Sequence, residues 1–279
     1  AFPSRFVISP EIIGTDDAGR IKEACKYDAV DLDMEAKTLN LNVGSIVWAT
    51  GWQPYDATKI DNLGFGQYPN IITNMMMERL AAPNGPTQGK IVRPSDDKEP
   101  ESIAFVQCAG SRDENHLPYC SYICCMASLK QATYVRERYP EAKIYVFYID
   151  LRTPGTRYEK FYDKIKEDQN IFLIKGKVAE VSEDPDSKNV TVVAENAVTG
   201  EKIHQTVEMV VLATGMQPTA ATDKLPADLT YNDDGFVVNN FESGGMFATG
   251  CANKPADVVS SNQNATGMAL KAIQTLVNR

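Results

Sequence analysis

SIAFVQCAG (102–110), CSYICCMASLKQATYVRERY (120–139) and KIYVFYID (143–150) follow one another in the middle of the chain. The first and last are apolar runs of strand length, and the middle one repeats its apolar residues at helical spacing. Strand, helix, strand in that order is the βαβ crossover unit, which requires parallel strands and places the chain in the α/β class.

Downstream, RYEKFYDKIKEDQN (157–170) reads as an amphipathic helix. IFLIKGKVAEVSED, NVTVVAENAVTG and HQTVEMVVLATG read as strands joined by Asp-, Asn- and Gly-rich turns. Upstream, the segment at 83–101 is rich in Pro, Gly and charge and reads as a connector, with a domain boundary near residue 100. Before it, TLNLNVGSIVWATG (38–51) predicts an apolar strand that stops at Gly51, and VEMVVLATGMQPT (207–219) is its near copy. Both end in Ala-Thr-Gly, a bulky residue and Gln-Pro. The last stretch predicts two short strands, a Gly-rich turn and a closing helix that begins near Asp257.

With 43% hydrophobic and 23% charged residues over 279 positions, the chain has apolar material for a substantial core. A net charge of −9 argues against a nucleic-acid partner, which calls for a basic face. No apolar run approaches the ~18 residues of a membrane span, and the first residues lack a signal-peptide pattern, so no direct membrane span is expected. The two histidines, His116 and His204, leave little scope for histidine-based catalysis. The chemistry points instead to a cofactor.

Four of the six cysteines, Cys108, Cys120, Cys124 and Cys125, fall within eighteen residues. Cys108 ends a buried strand, where α/β sheets place their ligands, and Cys120 and Cys124 are spaced by one helical turn. Adjacent thiolates such as Cys124 and Cys125 suit a cubane, whose separate irons accept neighbours, better than a single tetrahedral zinc. A helix starting near Pro118 adds a positive dipole end that suits an anionic centre. Zinc and inert or redox-active thiols remain as alternatives at this point. Cys25 and Cys251 lie apart, and Cys25 reads as structural.

FVQCAGSRDENHLPYCSYICCMASLKQA closely resembles the cluster-binding stretch of the heterodisulfide reductase A-subunit family. SIVWATGWQPYDA, without appended ferredoxin modules, looks most like the flavoprotein of the quinone-interacting membrane-bound oxidoreductase (Qmo) branch of that family. The resemblance extends to YEKFYDKIKEDQNIFLIKGKVAEV and FATGCANKPADVVSSNQNATGMALKAI. It implies a glutathione-reductase-like flavoprotein with two dinucleotide-binding domains, a [4Fe–4S] cluster and FAD. Thr50, Gly51 and Trp52, with Thr214 and Gly215, would mark strand ends near the flavin. Gly250, Cys251 and Ala252 would lie along the pyrophosphate and ribityl chain. The helix start, Asp257, Val258, Val259 and Ser260, would aim backbone N–H groups at the ring.

Two departures qualify the resemblance. The G-x-G-x-x-G fingerprint of the first Rossmann unit is absent, which implies a fragment whose first unit lies upstream and leaves FAD retention open. In place of the Gly-rich nicotinamide turn stands CAGSRDE, so the cluster is expected to replace NAD(P)H. IKEACKYDAVDLDMEAKTL (21–39) resembles a ferredoxin half-module that has kept only Cys25 and has lost its cluster.

The resulting assignment has three parts: a partial FAD domain with the ferredoxin remnant and connector at 1–100, a Rossmann-like cluster domain at 101–215, and the FAD-domain remainder at 216–279. The implied role is electron transfer between a membrane quinone pool and adenylylsulfate reductase, in a cytoplasmic complex held to the membrane through other subunits. The alternatives are a soluble, electron-bifurcating heterodisulfide-reductase-like subunit, and a non-redox zinc-bound docking module.

Overall fold

The computed structural model describes residues 7–35, 37–242 and 245–277. It divides into two compact units, Ala1–Val43 and Gly44–Arg279. The first holds a short 3-10 turn at Pro10–Ile12 and one helix, α1 (Asp16–Ala24), whose first turn carries Asp16 and Asp17. Those carboxylates suit the positive end of the helix dipole. Cys25 follows the helix, half-exposed, and the Ala29 N–H donates to its Sγ at 3.4 Å. Leu39, Leu41 and Val43, which lead up to the predicted strand SIVWAT, are exposed, and none of them lies in a strand. An alternating pattern without a neighbouring strand has nothing to pair with.

In chain order the second unit comprises β1 (Ile46–Trp48), β2 (Trp52–Pro54), β3 (Ile71–Thr73), α2 (Asn74–Ala81), β4 (Ser102–Ala109), α3 (Cys124–Arg138), β5 (Lys143–Tyr148) and α4 (Thr156–Lys166). It continues with β6 (Ile171–Lys175), β7 (Val178–Glu183), β8 (Val190–Glu195), β9 (Lys202–Val207), β10 (Met209–Thr214), β11 (Met216–Pro218), β12 (Met246–Ala248) and α5 (Val258–Val277). A parallel sheet of order β3-β10-β4-β5-β6 forms its centre. The expected βαβ unit is β4-α3-β5, with its two strands paired side by side.

Strand alternation divides the core into two layers. Ile103 and Phe105 of β4, Ile144 and Val146 of β5, and Met209 and Val211 of β10 pack with Leu129, Ala132 and Val135 of α3. Ala104, Val106, Val210 and Leu212 face the opposite way, onto Val178, Val181, Val190 and Val192 of the antiparallel meander β7-β8-β9. Because β4 and β10 are covered on both faces, they read as unbroken apolar runs.

Several expectations need correction. The helix predicted over 120–139 begins only at Cys124, so Pro118 and Cys120 lie in the preceding loop. HQTVEMVVLATG splits into two strands, β9 and β10, with Glu208 between them. Of the two short strands predicted near the end, the first reduces to a single Tyr231–Val237 bridge and the second forms as β12. The connector is not loosely solvated: Ile91, Val92 and Arg93 are buried within it. β3 and α2, placed before residue 100, join the central sheet and its helical layer, so this sheet draws on both sides of that boundary.

The two copies of the Ala-Thr-Gly repeat meet each other. β2 and β11 pair antiparallel, with Trp52 opposite Pro218 and Gln53 opposite Gln217. Gly51, at φ +74°, turns the chain into this ribbon, a conformation that glycine adopts without strain. β1 pairs parallel with β12, and α5 closes over that pair: a Cβ on Gly44 would overlap the Leu276 side chain.

Replacing Phe105, fully buried between the sheet and α3, with Ala is expected to cost about 3–5 kcal/mol. Chemical denaturation should register this as a lower midpoint with an unchanged slope.

Candidate cluster and flavin site

Cys108 lies where β4 breaks register with β10, between the Val106–Leu212 and Ala109–Thr214 pairs. Its φ of +57° is unusual for a side-chain-bearing residue, and the bulge turns it out of the strand's alternation. The loop that follows folds back on itself: the Leu117 N–H donates to Gly110 O, the Arg112 N–H to Tyr119 O, and the Asp113 N–H to Leu117 O. This brings Cys120 and the start of α3 back beside the strand end.

A small hydrogen-bonded clamp fixes the loop. The Ser121 hydroxyl shares a 2.7 Å hydrogen bond with the Ser111 hydroxyl and accepts the Met216 N–H at 2.8 Å. The Tyr119 hydroxyl donates to Met216 O at 2.8 Å. Gly215 makes the approach possible, since a Cβ there would stand 2.4 Å from Ser111 Oγ and 2.6 Å from Leu117 Cδ1. None of Ser111, Tyr119 and Ser121 carries a motif signal. Only the folded loop reveals their part.

The four thiols gather around this clamp. Cys124 is buried, with its Sγ 3.7 Å from Thr214 O, and Cys125 Sγ lies 3.6 Å from Asp150 O. The Tyr122 N–H points at Cys120 Sγ over 3.4 Å. Burial pushes the Cys108 thiol up to about 11, reinforced by Cys125 and Cys120 and opposed by the Arg112 guanidinium. Burial, followed by the other three thiols, also raises Cys124. Burial raises Cys125 against the Arg152 backbone N–H. A cationic centre would have to draw off the protons of Cys108, Cys124 and Cys125.

Among the described residues no three His, Cys, Asp or Glu side chains approach closely enough to hold one metal ion. Arg112, which donates to Asp150 Oδ2 at 2.9 Å, supplies a cation at the rim. All six cysteines are free thiols.

The residues that resemblance assigned to the flavin divide into groups. Trp52, Asp257 and Val258 line one apolar cavity of about 560 Å³, together with Tyr122, Ile123 and Met216. Tyr122 and Ile123 lead directly into Cys124, so the cavity abuts the cysteine loop. Thr214 is buried, its hydroxyl donating to Asn74 Oδ1, and with Gly215 it packs on the cysteine loop rather than lining the cavity. Thr50 and Gly51 present their carbonyls to Thr219. Gly250, Cys251 and Ala252 are buried in a 3-10 turn behind the cavity, where the Gly250 N–H donates to Asn264 Oδ1 at 2.8 Å.

The start of α5 is built as expected. Asp257 Oδ1 accepts the Ser260 N–H at 2.7 Å, and the Tyr158 hydroxyl donates to Oδ2 at 3.2 Å. Burial would raise this carboxyl, but the hydrogen bonds from Ser260 and Tyr158 outweigh it and hold it below the usual range. Val258 and Val259 are 86% and 53% exposed. Their side chains stand outward, while the Ser260 and Ser261 N–H groups are taken up by Asp257.

A parallel sheet with helices on one face and a β-meander on the other, and a ligand loop at the strand ends, defines a glutathione-reductase-like α/β fold. Thioredoxin reductases share it. The Lactococcus lactis enzyme superposes with TM-score 0.53 at 14% identity, covering 84% of this chain and 67% of that one. The T. acidophilum enzyme gives 0.51 at 14%, covering 83% and 64%.

Closer similarity is to the A-subunits of heterodisulfide reductases. One of the iron-sulfur A-subunits of CoB–CoM heterodisulfide reductase in Methanopyrus kandleri is 38% identical over 260 residues, which are 89% of this chain and 40% of that protein. The corresponding iron-sulfur protein of Methanocaldococcus jannaschii is 35% identical over 262 residues, 90% and 40%. The A-subunit of the H(2):CoB-CoM heterodisulfide,ferredoxin reductase of Methanothermobacter thermautotrophicus is 34% identical over 266 residues, 91% and 40%. The chain thus spans about two-fifths of the length of these curated relatives. No protein-family model matches it. Among the described residues no helix is long and apolar enough to cross a membrane.

Replacing Asp257 with Ala should remove the cap of α5 and cost about 1 kcal/mol. Because the folded-state pKa is depressed, this contribution is fully present above the ordinary aspartate value of about 3.9 and is lost as pH falls through the lower folded value. Denaturation midpoints of parent and variant should differ at neutral pH and converge in acid.

Proposed function

We propose that this chain is part of an oxidoreductase subunit that transfers electrons through FAD and a [4Fe–4S] cluster held by Cys108, Cys120, Cys124 and Cys125. The observation that carries the reading is the placing of the four cysteines about the end of β4, where a register break and a serine clamp bring the loop back beside the strand. The names of the iron-sulfur relatives support it. A bound cluster supplies one-electron transfer, and FAD links it to two-electron chemistry. Trp52, Asp257, Val258, Val259 and Ser260 would border the flavin ring, with the start of α5 favouring negative charge on it. Gly250, Cys251 and Ala252 would follow the rest of the cofactor. Thr50, Gly51, Thr214 and Gly215 hold the turns between the two sites.

The chain's own residues oppose a nicotinamide role, because the β4 turn carries Cys108 and Arg112 where a dinucleotide needs close backbone approach. The narrower role follows the resemblance of SIVWATGWQPYDA: passing electrons between a quinone pool and adenylylsulfate reductase, on the cytoplasmic face and anchored through partner subunits. A second reading, membership of a soluble heterodisulfide-reductase-type assembly, is favoured by the names of the curated relatives.

Changing Cys124 to Ser in the complete protein should abolish or convert the electron paramagnetic resonance signal of the reduced cluster. An unchanged signal in all four single Cys→Ser variants would reject the ligand set. For the partners, the natively purified complex should contain membrane subunits and reduce adenylylsulfate reductase with a quinol. Turnover of a heterodisulfide by a membrane-free complex would select the second reading instead.

A further inference from the structure

Two polar side chains next to the cysteines have no protein partner. Gln107 is 5% exposed, and neither its Nε2 nor its Oε1 has a hydrogen-bond partner among the described residues. Ser128 is fully buried, and its Oγ is equally unpaired. Burying an amide and a hydroxyl without partners is costly, and native cores rarely do so without a ligand to accept the bonds.

Their positions converge on the cysteine site. Gln107 lies within the register break of β4, immediately before Cys108 and between Val106 and Ala109, which both belong to the meander-side core. Ser128 lies one helical turn after Cys124 on the same buried stripe. Helical side chains lean towards the N-terminus, so its hydroxyl is directed at the Cys124 end.

The neighbouring donors are already engaged, and Gln131 Oε1, which is also unpaired, can only accept. Gln131 Nε2 donates to Asn74 O and Glu78 Oε1, the Thr214 hydroxyl to Asn74, and Ser121 belongs to the clamp. Gln107 and Ser128 are thus the buried side-chain donors near the thiols with unspent capacity.

We propose that Gln107 and Ser128 are tuning residues that donate N–H···S and O–H···S hydrogen bonds to the sulfurs of the four-cysteine cluster. The inference rests on the cluster reading above. A donor to sulfur stabilises the more negative, reduced cluster, so the pair raises its reduction potential.

The test uses the complete, anaerobically purified protein and its Gln107→Leu and Ser128→Ala variants. All three should carry the same amount of cluster by visible absorption. At a fixed potential near the parent midpoint, Gln107→Leu should lower the reduced-to-oxidised ratio about tenfold, ~59 mV for a one-electron couple. Ser128→Ala should give a smaller change of the same sign. With 15N-labelled glutamine, pulsed paramagnetic resonance of the reduced parent should show coupling to a side-chain amide that Gln107→Leu abolishes. Unchanged midpoints in both variants at full cluster content overturn the tuning role and leave the cluster reading intact. Should Gln107→Leu fail to assemble, absence of the amide coupling in the parent together with an unchanged Ser128→Ala midpoint overturns it equally. A parent that holds no cluster overturns both.

Discussion

The close approach of the cysteine loop to the end of β10 is the contact on which the rest of the site depends. Ser121 joins the Ser111 hydroxyl to the Met216 N–H, and Gly215 has no side chain to obstruct them. This contact places Cys120 next to Cys108, fixes where α3 can begin, and brings Ile123 against Trp52 and Met216. Without it, residues 111–123 would be a long surface loop with one cysteine. With it, the two ends of the loop deliver four thiols to one place.

The same contact couples the two halves of the site. Met216 starts β11, which pairs with β2, so the strand that carries Trp52 is tied through one short ribbon to the residue that anchors the cysteine loop. Tyr158 of α4 reaches the Asp257 cap from the other side of the cavity. The cavity is thereby framed by the central sheet's helices on one side and by the start of α5 on the other. Packed elements of this kind hold distances better than loops do.

Polarity is distributed unevenly around the frame. The sheet below it is sealed by Phe105, Leu129 and Val211, whereas the second turn of α3 and the last residue before Cys108 bring in Ser128 and Gln107. Along β4 the change from apolar to polar occurs in one residue step, where the strand stops serving the core and starts serving the site. The raised thiols of Cys108, Cys124 and Cys125 have the same origin, since burial acts on them before their mutual repulsion does.

The sequence by itself determined the central sheet, because β4, β5 and β10 are apolar runs bounded by turn residues, and the βαβ order admits one parallel arrangement. It also selected the four cysteines, whose spacing is a local property, and the start of α5 at Asp257, whose cap lies three residues from the N–H it accepts. It misplaced the start of α3, because Pro118 resembles a first-turn proline and Cys120 and Cys124 have helical spacing, while the serine clamp, a contact over 95 residues, holds the segment in a loop. It held no sign that the two Ala-Thr-Gly copies pair with each other, that Thr214 and Gly215 serve the cysteine loop, or that the connector is buried. Those outcomes rest on contacts between distant segments, whose energies depend on which surfaces meet after folding, and a residue's own neighbours carry no record of that.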